Sequence, residues 1–83
     1  RLSVVQPRLT STLLRQTPAT VVVIFIVDEN GRVQDPKVQR TTNPSFDRSA
    51  LAAIKQWKFE PAKVQGRSVS SRLRQSFSFE NST

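Results

Sequence analysis

The side chains able to do chemistry are few, and their spacing argues against catalysis. The chain has 83 residues with no histidine and no cysteine. A nucleophile would need a lysine or a carboxylate to activate it, and thiolate or imidazole metal sites are excluded. Asp28, Glu29 and Asp35 surround an Asn30-Gly31 pair, where turn chemistry accounts for them. Asp47 follows Asn43-Pro44-Ser45, where a carboxylate meets the positive end of a helix. No HExxH pattern or phosphate-cradling glycine loop occurs, and there are only two glycines. The sequence reads as no enzyme, with no cofactor and no metal.

What remains is the chemistry of charge and of the backbone. Thirteen Lys and Arg oppose six Asp and Glu, a net charge of +7. That balance attracts nucleic acid, lipid head groups or acidic protein surfaces. The cations are scattered, however, so a solvated basic surface also explains them. A basic nucleic-acid-binding α/β domain is one alternative reading. Against it, the aromatics sit on apolar stripes and do not alternate with the cations for stacking. Backbone chemistry points elsewhere: an open strand edge offers a row of N–H and C=O groups that an extended peptide can join.

The elements that would position such an edge follow from pattern. Pro7 suits the first turn of a weak helix carrying Leu9, Leu13 and Leu14 and ending before Pro18. Val21 to Val27 is β-branched throughout except Phe25, and reads as a strand. Asn30-Gly31 predicts a tight type I′ turn with φ > 0 at both residues. Arg32 to Thr41 returns as a second strand. Val33 and Val38 are five apart there, and a bulge near Gln34 to Pro36 would bring them to one face.

Asn43 or Ser45 caps a second helix, with Pro44 in its first turn. Phe46, Ala50, Ala53, Ile54 and Trp57 form its apolar stripe, and Pro61 ends it. Trp57 reads as the end of that stripe rather than as a ligand platform. Lys63 to Arg67 reads as a plain connection. From Ser68 the period is two: Val69, Ser71, Leu73, Gln75, Phe77 and Phe79 share one face, with serines, Arg72 and Arg74 on the other.

The expected fold is α+β: a small antiparallel three-stranded sheet with two helices packed on one face, in the order α-β-β-α-β. It forms a single domain over residues 1–83, with flexible ends at 1–6 and 80–83. The first two strands pair as a hairpin, and the last lies against one of them with an edge left open. Val22, Ile24 and Ile26 face away from the helices, which suggests a second interface for a homodimer or other partner. The longest apolar run is too short to cross a membrane. The polar start reads as no signal peptide, and any anchor is expected outside these residues.

Read together, these segments resemble the C-terminal domain of TonB, the energy-transducer family of Gram-negative bacteria. The motifs are Val21-x-Val23-x-Phe25-x-Val27-Asp28-x-x-Gly31-Arg32-Val33, then Phe46-Asp47-x-x-Ala50, then Trp57-Lys58-Phe59-Glu60-Pro61, then Gly66 and Phe77-Ser78-Phe79. Gln6-Pro7 resembles the Gln-Pro ahead of the family's Tyr-Pro, where this chain has Leu9-Thr10. Ala19 stands where the family often has Gly.

The resemblance implies a periplasmic domain, held to the inner membrane by an upstream helix and Pro-rich spacer. An inner-membrane proton-channel complex would drive it. Its partner would be an outer-membrane TonB-dependent transporter, as in siderophore import, whose TonB box adds as a strand. Carried onto this sequence, the contacts are Gln6, Pro7 and the last strand: Val69, Ser70, Ser71, Arg72, Leu73, Arg74, Gln75, Ser76 and Phe77. A TonB-like adaptor domain of a secretion or signalling machine is the alternative within the same resemblance.

Overall fold

β-Branched side chains lose rotamer freedom in a helix and pack well on a pleated surface. The strand they form here reaches back beyond the apolar run. In the computed structural model, which describes residues 3–80, β1 spans Ala19–Val27. Its odd-numbered residues are buried and its even-numbered residues half-buried. β2 (Val33–Thr41) and β5 (Ser71–Phe79) flank it, both antiparallel, in the order β2-β1-β5. The expected three-stranded sheet is therefore present with β1 at its centre. The expected flexible ends fall partly on residues 1, 2 and 81–83, outside the described residues.

The turn between β1 and β2 differs from the type I′ expectation. Gly31 has φ 82°, but Asn30 is not among the residues with positive φ. The Gly31 N–H donates to the Asp28 carbonyl at 3.0 Å, and the Asp28 N–H donates to the Arg32 carbonyl at 2.9 Å. This makes a three-residue loop, Glu29 to Gly31, closed by a left-handed glycine. Asp28 selects it. One carboxylate oxygen accepts from the N–H groups of Asn30 and Arg32, and the other from the Gln34 amide, all at 2.9 Å.

The Arg32 N–H, then the Gln34 amide, hold the Asp28 carboxyl below its ordinary range. A lowered folded-state pKa lends stability that is present above the ordinary carboxylate range and lost as pH falls through the lowered value. The Asn30 and Arg32 amides should therefore keep their hydrogen-exchange protection from neutral pH down to the ordinary carboxylate range, and lose it only at more acid pH. Asp28→Ala should remove that protection at every pH. Amide exchange by NMR checks both.

β2 carries the expected bulge and a second one. Ile24 pairs with Lys37 but Ile26 with Gln34, so Asp35 and Pro36 bulge opposite Phe25, with Asp35 at φ 55°. Val22 pairs with Arg40 and Val23 with Val38, which leaves Gln39 out. Val33 and Val38 both pack against the core as a result.

Asn43 caps a 3-10 turn, Pro44–Phe46, accepting from the Ser45 N–H at 3.0 Å. α2 (Asp47–Ile54) follows and is shorter than the stripe suggested. The N–H groups of Gln56 and Trp57 tighten its end by bonding Ala53 and Ile54 carbonyls at 3.1 and 3.0 Å. Beyond it, Lys58 exchanges backbone bonds with Ser3 (3.2 and 2.9 Å) and bridges to Arg32. That extended stretch could not also be helical. α1 is one turn, Ser11–Leu14, capped by Thr10, so Pro7 lies ahead of it and not in it.

The expected connection at Lys63 to Arg67 is itself a hairpin. β3 (Ala62–Val64) pairs with β4 (Arg67–Val69) across Gln65 and Gly66, with φ 51° and 79°. Both central residues are left-handed here, the arrangement expected at Asn30-Gly31. The core lies on one face of the main sheet. Phe46, Ala50, Ala53, Ile54 and Trp57, the predicted stripe, are all buried against β1, Phe77 and Phe79. Phe46 meets Phe79 at 4.9 Å between ring centroids, and Trp57 meets Phe77 edge-on at 5.5 Å.

Candidate functional site

β5 pairs with β1 through nine successive residues without a slip, from Ala19↔Phe79 to Val27↔Ser71. On its other side no strand is paired among the described residues. β2 forms the opposite edge, and it is interrupted by two bulges and by Pro36, which has no N–H to offer. One margin of the sheet is thus regular and the other irregular.

The predicted site residues divide into three groups. Val69 and Ser70, expected on this strand, lie outside it. Val69 pairs with Ala62 in β4, and Ser70 links β4 to β5. Gln75, Ser76 and Phe77 lie on the C-terminal half of β5 and share a groove of about 520 Å³ with Gln6 and Pro7. Ser71, Arg72, Leu73 and Arg74 lie along the other half of the strand, outside that groove.

The groove is built by two chain segments that are distant in sequence. Ser78, Phe79 and Glu80 continue its β5 side, and Val4 and Leu9 extend the N-terminal side. Trp57 lines it and also fixes it: the indole N–H donates to the Val5 carbonyl at 2.9 Å. The buried ring therefore holds the N-terminal segment in place. Val4 and Leu9 escaped the sequence reading. Val4 belongs to no periodic run, and Leu9 reads as part of a helical stripe.

The strand margin is mixed in character. Leu73 occupies a core-side position opposite Phe25, yet it is 38% exposed, where burial was expected. The Gln75 amide donates to the Ser76 carbonyl at 2.9 Å. Arg72 and Arg74 are exposed on the face away from the helices, paired across to Ile26 and Ile24. Val22, Ile24 and Ile26 are half-buried on that same face. Among the described residues, no group of three or more potential metal ligands comes together.

The sequence profile of the family described as Gram-negative bacterial TonB protein C-terminal matches residues 14–80. The chain belongs to the TonB C-terminal family. Protein TonB of Xanthomonas campestris pv. campestris strain B100 is 36% identical over 55 residues, covering 65% of this chain and 25% of that protein. Protein TonB of strain ATCC 33913 of the same pathovar gives the same figures. The chain thus spans about a quarter of the length of these curated relatives.

The solution structure of the Pseudomonas aeruginosa TonB C-terminal domain shares the fold. It aligns with a TM-score of 0.74 at 24% identity, over 100% of this chain and 84% of that one. The TonB family match takes in β1 to β5 but starts at Leu14. Val4 to Leu9, the N-terminal wall of the groove, lies outside it.

Proposed function

We propose that this domain is the periplasmic, force-transmitting end of a TonB-type transducer and grips the TonB box of an outer-membrane transporter by strand addition. The supporting observation is the nine-residue β5 margin, regular and unpaired on one side among the described residues, beside a groove that Gln6 and Pro7 help to line. Gln6, Pro7 and Ser71 to Phe77 are the proposed contacts. The rest of the protein would carry the inner-membrane anchor and meet the proton-channel complex. No helix among the described residues is long and apolar enough to cross a membrane.

The physics of the joint suits this role. Each added backbone hydrogen bond contributes only about 1 kcal/mol net, so affinity is modest. Pulled along the strand axis, the bonds load together; pulled across it, they open singly. Main-chain pairing also tolerates varied box sequences, because the backbone bonds that supply the affinity are common to all of them. The Gln75 amide on the Ser76 carbonyl is one contact an arriving strand must share or displace.

Amide NMR titration with an extended TonB-box peptide tests the proposal. Shifts should concentrate in Ser71 to Phe79 and Val4 to Leu9, and change little between low and moderate salt. Phosphate-driven binding, by contrast, weakens steeply with salt. No shifts at millimolar peptide, or shifts confined to β2, would overturn it.

A further inference from the structure

We propose that the sheet face turned away from the helices is a docking surface for an anionic lipid membrane. The register places its residues. Val22, Ile24 and Ile26 form a central row, half-buried. Arg40 and Lys37 flank it from β2, paired with Val22 and Ile24. Arg74 and Arg72 flank it from β5, paired with Ile24 and Ile26. All four cations are exposed. Two rows of positive charge therefore stand about 10 Å apart, the width of two strand spacings. Among the described residues, Asp35 is the acid that lines the hollow on this face, in a loose 4.0 Å pair with Lys37.

The shape of the face selects among anionic partners. Its hollow, of about 190 Å³, is too small to seat a peptide segment. A plane of phosphates needs no pocket, only cations in a plane. The aromatic rings of Phe25, Phe46, Trp57, Phe77 and Phe79 are buried in the core, so bases would find no stacking platform here. A second copy would bring its own four cations against these four. The apolar row is recessed between longer side chains and supplies no wedge for insertion. Attachment is thus peripheral, held by charge at head-group level and released by salt.

Vesicle co-sedimentation of the 83-residue chain tests this, with phosphatidylcholine alone and with 30% phosphatidylglycerol. The chain should bind the anionic vesicles at 0.15 M salt, ignore the neutral ones, and come off at 0.5 M salt. The double variant Lys37→Gln, Arg40→Gln should bind roughly 25-fold more weakly, about fivefold per cation lost. The charge-matched Arg48→Gln, Lys55→Gln variant on α2 should lose less than about threefold, being further than a Debye length from the membrane. Trp57 emission unchanged in both variants shows that the fold is intact.

The proposal is overturned by equal losses in the two variants, by equal binding to neutral vesicles, or by no binding. It is also overturned if polyglutamate or an oligonucleotide competes fully at equal charge, or if the chain dimerises through Ile24 in sedimentation velocity. Lys37 and Arg40 lie on β2, away from the β5 margin, so peptide docking and vesicle binding can fail independently.

Discussion

Phe46→Ala should remove a large share of the domain's stability. The ring is fully buried, packs on Phe79 at 4.9 Å, and closes the 3-10 turn that leads into α2. Truncating a buried phenylalanine costs about 3–5 kcal/mol in lost transfer energy and residual cavity. A chain of this length has a total stability of only about 4–12 kcal/mol at the usual value per residue. One side chain therefore carries a large share of the fold. Urea unfolding followed by Trp57 emission should show a midpoint far below wild type with little change in slope. A loss under about 1 kcal/mol would mean that the core collapses around the gap and is not held together at this point.

The second large effect is at Gly31. Its φ of 82° lies where an alanine is strained by about 1–2 kcal/mol. The greater obstacle is space: a Cβ there would run into the carbonyl oxygen of Phe59, and Pro61 stands close behind. The Phe59 N–H also donates to the Gly31 carbonyl at 2.9 Å. Gly31→Ala must therefore part the β1–β2 turn from the strip that follows α2, for a total of roughly 3 kcal/mol or more. Gly66→Ala is the control. It has nearly the same φ, 79°, but open space around the new methyl, so it should lose about 1 kcal/mol. Equal losses in thermal or urea unfolding would show that conformation alone, and not the close approach to Phe59, sets the role of Gly31.

The differences between pattern and structure have local causes. The alternation of β1 and the Phe46 to Trp57 stripe are legible because burial on one side demands a fixed period, and each period has one reading. The Asn30-Gly31 turn is misread because dipeptide preference ignores Asp28, whose carboxylate captures two N–H groups and favours a longer loop. α2 stops early because Lys58 is needed as an extended bridge to Ser3 and Arg32, a long-range demand that no helical window contains. β5 is legible as an amphipathic strand, but its start is not. Nothing in the alternation of Val69 and Ser71 reveals that a hairpin claims the first of them.

The candidate site shows the same division. Its β5 half is visible in the sequence because strand edges follow from element order. The groove is not, because it depends on Val4 to Leu9 lying beside a strand about seventy residues away, fastened by the Trp57 indole bond to Val5 and by the backbone pair of Ser3 with Lys58. Aperiodic segments held by backbone contacts leave little trace in a hydrophobic pattern.

The unlike margins of the sheet have a further consequence for self-association. If two copies meet through β5, each consumes its regular edge. What remains outward is β2, broken by Asp35 at φ 55°, by Pro36 and by the displaced Gln39. A third copy finds no regular template on the main sheet, which disfavours growth beyond a pair.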